Sequence, residues 1–216
     1  MTFDLFDSDD EQPWQEQLGE GLVILRRFAC AAAPALMSAV EDIAGQALFR
    51  HMVTPGGYSM SVAMTCAGPL GWVTDAGGYR YQACDPETGQ PWPAMPDSFG
   101  QLAQQAAAAA GFPGFVPDAC LVNRYQPGAK MGLHQDKDET DMSWPIVSVS
   151  LGLPVVFQFG GPKRSDRPQR IVLEHGDVAV WGGSARLNYH GVLTLKAGEH
   201  PLTGGFRYNL TFRKAG

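Results

Sequence analysis

The chain has 216 residues, of which 44% are hydrophobic and 18% are charged. This is the composition of a globular protein, it excludes an intrinsically disordered chain, and its length fits one large domain or a core with an extension. No apolar run approaches the length of a membrane span. The formal net charge of −6 argues against a bulk binder of nucleic acid, because nonspecific affinity comes from neutralising phosphates.

The N-terminal stretch "MTFDLFDSDDEQPWQEQ" is acidic and polar, so it does not have the features of a signal peptide. We predict that residues 1–17 form a mobile tail. The four cysteines are scattered, without a CxxC pair, and we interpret them as reduced, mostly buried thiols of a cytoplasmic protein. They are Cys30, Cys66, Cys84 and Cys120.

Two helices are predicted in the first half of the chain. The segment "PALMSAVEDIAGQALF", residues 34–49, places apolar residues three and four positions apart, which is typical of an amphipathic helix. The segment "PDSFGQLAQQAAAAAGF", residues 96–112, is the second helix. Asp97 or Ser98 is expected to cap its start, and Gly111 to end it.

Strand patterns fill much of the remaining sequence. "YSMSVAMTCAG" alternates between larger apolar and small residues, and a DAGG turn lies among aromatic residues shortly after it. From residue 120 onward, short alternating segments recur between Gly and Pro turns, as in "CLVNRYQPG", "IVSVSLG" and "RYNLTFRK". We therefore predict a mainly β fold with flanking helices (α+β). Its core is a jelly roll over 116–216, preceded by a helical region over 18–115.

A candidate metal site lies in the stretch "MGLHQDKDET". Residues two apart on a strand point to the same side, so His134 and Asp136 are expected to project together. His190, in "LNYHGVL", is the candidate third ligand. Two histidines and one carboxylate on one face of a metal are typical of non-haem Fe(II) oxygenases. An isolated HxD pair is more often a pair of surface residues, so a charged turn remains the alternative. The other histidines are interpreted as turn or surface residues: His51, His175 and His200.

The strand "RYNLTFR" carries two arginines that indicate an anion-binding part of the same site. Arg207, Asn209, Thr211 and Arg213 share one face of it. If this strand lines a barrel, two buried arginines need anions. Fe(II) contributes two positive charges, the arginines two and Asp136 one negative charge, which sums to +3.

A dianion with a carboxylate at each end would neutralise most of that charge, and the planar guanidinium fork suits a carboxylate. 2-Oxoglutarate has this charge and shape. Asn123 and Tyr125 in "LVNRYQPG" share a strand face and offer further polar groups. An exposed edge strand with solvated arginines is the alternative interpretation.

Together, the HxD pair, the distant histidine and the "RxNxTFR" strand resemble the Fe(II)/2-oxoglutarate dioxygenases. Within them the chain is similar to the AlkB family of nucleic-acid dealkylation enzymes, from "PWQEQLGEGLVILRRF" through "TPGGYSMSVAMT" and "PDACLVNRYQPGAK" to "LEHGDVAVWGG". The resemblance implies that His134, Asp136 and His190 bind iron. It implies 2-oxoglutarate contacts along the two polar strands, from Asn123, Arg124, Tyr125, Arg207, Asn209, Thr211 and Arg213.

The resemblance also implies the reaction. Bases methylated where pairing is blocked, 1-methyladenine and 3-methylcytosine, would be demethylated in single-stranded and double-stranded DNA, with RNA left open as a further substrate. 2-Oxoglutarate and O2 would become succinate and CO2, and formaldehyde would be released. A monomer without membrane contact is expected. A 2-oxoglutarate-dependent hydroxylase of a protein or small molecule is the alternative, ahead of a non-catalytic jelly-roll binding protein.

Substrate contacts are implied in a nucleotide-recognition lid over about 50–92 and beside the metal site. Trp72 would stack a flipped base, and Tyr79, Arg80 and Tyr81 would meet the nucleic-acid backbone. Asp138 would hold the cationic methylated base, and Arg164 would lie on the substrate side. Judged without the resemblance, the aromatic residues read as the core of a small hairpin and Asp138 as a solvated acid.

Overall fold

The structure is a computed structural model that describes residues 12–216. The described chain contains two α-helices, α1 (Ala33–Gln46) and α2 (Asp97–Ala109), and a short 3₁₀ helix at Gly183–Ala185. The strands, in chain order, are β1 (Trp14–Gly19), β2 (Leu22–Arg26), β3 (Ala63–Ala67), β4 (Gly71–Asp75), β5 (Gly78–Gln82), β6 (Ala119–Tyr125), β7 (Met131–His134), β8 (Ile146–Gly152), β9 (Val155–Phe159), β10 (Gln169–Leu173), β11 (Val178–Trp181), β12 (His190–Val192) and β13 (Arg207–Arg213).

Two antiparallel sheets form the body of the molecule. The larger has the order β1-β2-β11-β8-β13-β6-β3, and the smaller has the order β10-β9-β12-β7. Apolar side chains from both sheets, among them Ile24, Trp181, Phe157 and Phe159, belong to one buried cluster. The two sheets therefore enclose a common core, which is the jelly-roll arrangement expected for the predicted mainly β fold.

The helices cover the outer face of the larger sheet. Leu36, Val40 and Ile43 of α1 join a second buried cluster with residues of β2, β8 and β13. Phe99 of α2 meets Phe212 of β13 edge to face, with ring centroids 5.7 Å apart. No helix within residues 12–216 is long and apolar enough to cross a membrane.

Both helices begin and end close to their predicted bounds, but the predicted cap of α2 is wrong. Pro96 occupies the N-cap position, no side chain of the described residues caps the helix, and Asp97 is already its first helical residue. Gly111 lies just beyond the helix with a φ of +91°, a left-handed conformation that suits glycine at a helix end.

The N-terminal boundary predictions need correction. Residues 14–17 of the predicted tail lie in β1, which pairs with β2, whereas residues 1–11 of that tail lie outside the described residues. Strands β1, β2 and β3 also stand in the same sheet as β6, β8, β11 and β13. The predicted division at 115/116 therefore does not separate two sheets. In "LVILR" four successive residues are buried, so the strand has no polar alternation to reveal it.

A separate two-stranded sheet carries the aromatic segment. β4 and β5 pair through the predicted DAGG turn, with Trp72 opposite Tyr81 and Asp75 opposite Gly78. A φ of +110° at Gly78 lets the chain reverse there. This hairpin lies between β3 and α2 in the chain, and Trp72 and Tyr79 line the same cavity as residues of β7 and β13.

Candidate active site

His134, Asp136 and His190 come together at one end of the smaller sheet. His134 ends β7, His190 begins β12, and the two are direct partners in the antiparallel pairing. Asp136 lies two residues beyond β7. Its carboxylate oxygens lie 3.6 Å from His134 Nε2 and 3.7 Å from His190 Nε2. Facing strands thus bring together ligands that are far apart in sequence.

The imidazoles are held in the orientation that a metal ligand needs. His134 Nδ1 lies 2.9 Å from the carbonyl oxygen of Gly132, and His190 Nδ1 lies 3.0 Å from that of Asn188. An Nδ1–H that donates to these carbonyls leaves both Nε2 lone pairs directed at the shared centre.

The protonation states also match those of metal ligands. Burial, helped by the neighbouring His190, lowers the pKa of His134 to about 4. Burial alone would raise the pKa of Asp136, but the adjacent Arg213 guanidinium and both histidines hold it well below its usual range. Neutral imidazole and ionised carboxylate are the forms that bind metal. The possible ligand atoms lie within 4.8 Å of one another, and a His₂Asp set fits Fe(II) with open positions.

Arg207 lies deeper in the same cavity and lacks an anion. It is 1% exposed and its Nη2 donates to Ser150 Oγ at 3.0 Å, whereas its Nε and Nη1 have no hydrogen-bond partner among residues 12–216. Its guanidinium lies over the Tyr125 ring, 5.1 Å from the centroid. Burial lowers the pKa of Arg207. Two unsatisfied donors on a buried cation fit a ligand carboxylate.

The remaining polar residues of β6 and β13 form a hydrogen-bonded row along the cavity wall. Asn123 Nδ2 donates to Asn209 Oδ1 at 3.1 Å, and Thr211 Oγ1 donates to the same oxygen at 2.8 Å. Asn209 Nδ2 donates to Ser148 Oγ at 2.7 Å. Asn123, Asn209 and Thr211 all line a cavity of about 460 Å³, together with the histidines and Asp136.

Arg124 does not reach this cavity, contrary to its prediction as a 2-oxoglutarate contact. Its guanidinium lies over the Phe49 ring at 4.4 Å and near the Phe206 ring at 5.5 Å. Asn123 and Tyr125, its neighbours on β6, do line the cavity. Successive residues of a strand point to opposite faces, so Arg124 must point away from them.

Arg213 is engaged more closely with Asp136 than the sequence suggested. Its Nη2 and Nε donate to Asp136 Oδ2 at 2.6 and 3.1 Å, and its Nε lies 3.2 Å from Glu139 Oε1. Although burial opposes it, these carboxylates raise the pKa of Arg213. Arg213 is therefore already paired with an acid of the metal site, in contrast to Arg207.

The candidate substrate residues fall into two groups. Trp72 and Tyr79 stack with ring centroids 5.7 Å apart, and Trp72 Nε1 donates to Asp138 Oδ2 at 2.9 Å. Arg164 lies over the Tyr189 ring at 5.0 Å and donates to the Leu133 carbonyl oxygen at 2.7 Å. These residues line the cavity: Trp72, Tyr79, Asp138, Arg164 and Tyr189.

Arg80 and Tyr81 are not among the residues that line it. Arg80 forms an ion pair with Asp75 at 2.7 Å within the hairpin. Tyr81 Oη donates to Glu139 Oε1 at 2.8 Å instead of facing the cavity. Neighbouring residues of a strand point to opposite faces, so Arg80 points away from the cavity that Tyr79 lines. Tyr81 lies two residues beyond Tyr79, where it contacts Glu139.

Glu139 and Arg186 are residues of the site that sequence reasoning missed. Both are buried, and Arg186 Nη2 lies 3.0 Å from Glu139 Oε2. Arg186 Nη1 also donates to the backbone oxygen of Asp136 at 2.7 Å. Glu139 stands in an acidic stretch beside the candidate residues Asp136 and Asp138, and this position could have indicated its role. The sequence "SARLN" around Arg186 resembles an ordinary exposed loop and gives no such indication.

The comparisons with known proteins agree with this geometry. The family model of the 2OG-Fe(II) oxygenase superfamily matches residues 21–213. "Alpha-ketoglutarate-dependent dioxygenase AlkB" of Escherichia coli (strain K12) is 65% identical over 207 residues, which are 96% of either chain. "DNA N(6)-methyladenine demethylase ALKBH1C" of Arabidopsis thaliana is 34% identical over 162 residues, covering 62% of this chain and 35% of that protein.

A solved structure supports the fold. The structure of OsALKBH1 superposes with a TM-score of 0.82 at 30% identity, covering 93% of this chain and 100% of that one. This match confirms the predicted mainly β fold with a jelly-roll core. The chain therefore belongs to the 2OG-Fe(II) oxygenase superfamily and within it to the AlkB dioxygenases, which use Fe(II), 2-oxoglutarate and O2.

Proposed function

We propose that this dioxygenase repairs DNA by oxidative demethylation of 1-methyladenine and 3-methylcytosine, in single and double strands, and that RNA is a further substrate. The observation that carries the proposal is the pairing of an aromatic ring with an acid over the metal site. Trp72 and Asp138 are hydrogen-bonded at 2.9 Å and line the cavity that contains His134, Asp136 and His190. One relative is named for demethylating DNA.

The chemistry of the lesion explains that pairing. Methylation at N1 of adenine or N3 of cytosine makes the base cationic, so it is attracted both to a carboxylate and to the face of an indole ring. Asp138 is exposed and accepts from Trp72. A base that enters the cavity can stack on Trp72, and its exocyclic amine can then donate to Asp138. A base in a duplex must leave the stack to do so.

The charge and size of the cavity suit the cosubstrate beside such a base. Its volume of about 460 Å³ lies in the usual range of ligand sites, roughly 300–1,000 Å³. We assign the distal carboxylate of 2-oxoglutarate to Arg207, where two donors are free, with Asn123 and Tyr125 beside it. Because Glu139 and Arg186 cancel, Fe(II), Arg207, Arg213 and Asp136 still sum to +3, and the dianion reduces this to +1.

The residues then divide the work of the reaction. We assign iron binding to His134, Asp136 and His190. We assign lid function to the segment of about 50–92, and we call its β4–β5 hairpin the lid hairpin. Iron and 2-oxoglutarate held in the cavity would supply the oxidation of the substrate methyl group by O2, with succinate and CO2 as the products of the cosubstrate. Trp72 and Asp138 hold that methyl group toward the metal. The N-hydroxymethyl product releases formaldehyde and leaves the unmodified base.

We further propose that the protein acts as a monomer in the cytoplasm. Its cysteines are free thiols, two of them fully buried in the core, which suits a reducing compartment. Burial raises the pKa of Cys66 to about 12, so that thiol stays protonated and unreactive toward the iron chemistry.

The test is anaerobic loading with Fe(II) and 2-oxoglutarate, then exposure to O2 with a single-stranded oligonucleotide that carries one 1-methyladenine. Loss of the methyl mass and succinate are followed together, with His134→Ala as the control. The expected result is one succinate per methyl group lost, and neither product from the variant. Succinate without methyl loss would contradict the substrate and point to a protein or small molecule. Neither product from the wild type would contradict the reaction.

A further inference from the structure

We propose that Glu139 is a positioning residue that connects the lid hairpin to the metal ligand Asp136, so that lid closure and metal binding favour each other. The proposal rests on the proposed function in taking Asp136 as a metal ligand and the β4–β5 hairpin as the lid. Glu139 is 7% exposed as a residue, and its side chain is 1% exposed. A buried carboxylate is costly unless it is paired, and its partners come from three separate parts of the chain.

The first partner belongs to the lid. Tyr81 in β5 donates its hydroxyl hydrogen to Glu139 Oε1 at 2.8 Å. Burial, followed by the nearby Glu139 and Asp136 carboxylates, raises the pKa of Tyr81 although Arg213 opposes this. The phenol therefore remains a donor. Trp72, directly opposite Tyr81 in the hairpin, adds the bond to Asp138, so both strands of the lid are attached to the segment that follows Asp136.

The other two partners are arginines that also hold Asp136. Arg213 bridges the acids, with Nη2 2.6 Å from Asp136 Oδ2 and Nε 3.2 Å from Glu139 Oε1. Arg186 forms an ion pair with Glu139 Oε2 at 3.0 Å and donates to the Asp136 backbone oxygen at 2.7 Å. The side chain and the backbone of Asp136 are thus both hydrogen-bonded to arginines that form ion pairs with Glu139.

The four charges of this cluster cancel, since two carboxylates face two guanidiniums. Removing one member of a buried network leaves its partners uncompensated. Without the Glu139 charge, Arg213 would have only Asp136 as its anion, and the metal site would gain one net positive charge. Both changes disfavour a divalent cation. Partners behind a metal ligand typically contribute roughly 10- to 100-fold to metal affinity.

The coupling between metal binding and lid closure must act in both directions. If metal binding fixes Asp136 and the cluster, the Tyr81–Glu139 bond passes that stabilisation to the lid, and lid closure stabilises metal binding by the same factor. The lid hairpin has its own two-stranded sheet, so its backbone amides report closure separately from the rest of the fold.

The experiment uses the full chain, Mn(II) alone as the metal, and no nucleic acid. Mn(II) affinity is measured by calorimetry, and hydrogen–deuterium exchange of the β4–β5 amides is measured with and without Mn(II). Three variants are compared. Glu139→Gln removes the charge but keeps an oxygen acceptor, Tyr81→Phe removes the lid bond but keeps all four charges, and Tyr58→Phe changes a tyrosine that is 77% exposed and serves as the control.

The expected results distinguish the effect of the Glu139 charge on metal affinity from the effect of the Tyr81 bond on the lid hairpin. Wild type and Tyr58→Phe bind Mn(II) alike, and Mn(II) slows exchange in β4–β5. Glu139→Gln binds Mn(II) roughly 10- to 100-fold more weakly, whereas its affinity for 2-oxoglutarate at saturating Mn(II) does not fall, because the site has become more positive. A general folding defect would weaken both affinities. Tyr81→Phe binds Mn(II) more tightly than Glu139→Gln, but Mn(II) no longer slows exchange in its hairpin.

Two results would overturn the proposal. One is wild-type Mn(II) affinity in Glu139→Gln, and the other is an undiminished response of the β4–β5 amides to Mn(II) in Tyr81→Phe. If Glu139→Gln fails to fold, the Tyr81→Phe exchange result decides alone. Absence of Mn(II) binding by the wild type would instead contradict the metal site of the proposed function.

Discussion

Arg207 introduces a positive charge into the core, and within the described part of the chain two of its nitrogens have no hydrogen-bond partner. This destabilises the fold when no ligand is bound. A buried unsatisfied donor costs about 1–3 kcal/mol, and more for a charged group. The cost is offset only when a carboxylate reaches it. Arg124, one strand away on β6, has no such cost because it is half-buried against two aromatic rings. The two arginines therefore form a matched pair for separating function from stability.

Arg207→Met is expected to raise the free energy of unfolding of the ligand-free protein by about 1–3 kcal/mol, while 2-oxoglutarate binding is lost. Urea unfolding with and without 2-oxoglutarate and Mn(II) measures both effects. Arg124→Met should do the opposite, losing the stabilisation of its aromatic contacts, about 0.5–2 kcal/mol, with normal 2-oxoglutarate binding. A less stable Arg207→Met protein would show that the guanidinium has a structural partner.

Asp138→Asn tests the attraction between an acid and the cationic base. The amide keeps an oxygen acceptor but loses the charge, so kcat/KM for a 1-methyladenine oligonucleotide should fall by roughly 10- to 100-fold, as for a hydrogen bond to a charged group. The KM for 2-oxoglutarate should stay unchanged, because Arg207 lies deeper in the cavity. Methyl loss at varied oligonucleotide concentration measures kcat/KM, and succinate formation at varied 2-oxoglutarate concentration measures the KM for 2-oxoglutarate. A matching rise in the KM for 2-oxoglutarate would place Asp138 in the cosubstrate site.

At the scale of elements, the strands that follow residue 115 were predictable because turns and alternation mark them. β1 and β2 were not, since "LVILR" is buried along four successive residues and reads as one apolar run. Strand alternation also predicted that Asn123 and Tyr125 share a face, and the same rule excludes Arg124 between them. The contacts of Glu139 with Tyr81 and Arg186 depend on how three distant segments fold together, and no local pattern encodes them.

The hairpin β4–β5 is expected to hold the base by stacking. Trp72→Ala should weaken binding of a methylated single-stranded oligonucleotide by about 1–3 kcal/mol, measured by fluorescence anisotropy with Mn(II) in place of Fe(II). Binding of 2-oxoglutarate should be unchanged. The control is Trp14→Ala, which truncates a tryptophan on β1 that is 49% exposed. Equal losses in both variants would mean that stacking on the lid contributes nothing specific.

The whole molecule combines an acidic surface with a cationic site. The net charge is −6, yet Lys137 and Arg164 line the cavity, and Arg207 and Arg213 lie buried within it. A footprint of a few nucleotides requires only such a local patch, because each phosphate contact acts over about a Debye length, roughly 8 Å at physiological salt. The acidic composition argues against bulk nucleic-acid binding, but it carries no information about this patch.

The free energy of unfolding is expected to decrease in mild acid because of His175, which lies beside His200. His175 Nδ1 accepts a hydrogen bond from the Gly152 N–H at 3.1 Å, and its ring lies 4.4 Å from that of His200. Gly152 is the partner of Arg207 in the β8–β13 pairing. Burial, then His200 and Arg27, lower the pKa of His175, although Asp177 opposes them. The folded protein therefore keeps this imidazole neutral where the unfolded chain protonates it.

The sign follows from proton linkage. As pH falls below the unfolded value, near 6.5, the unfolded state binds more protons, so the free energy of unfolding decreases until the lower folded pKa is reached. Urea unfolding at about pH 7.5, 6.5 and 5.5 measures the profile. His134, whose pKa is lowered to about 4, adds a similar slope, so the comparison is with His175→Gln, whose amide oxygen can still accept from Gly152. The variant should lose less stability between pH 7.5 and 5.5 than the wild type. Parallel profiles would assign the acid sensitivity to His134 and the metal site alone.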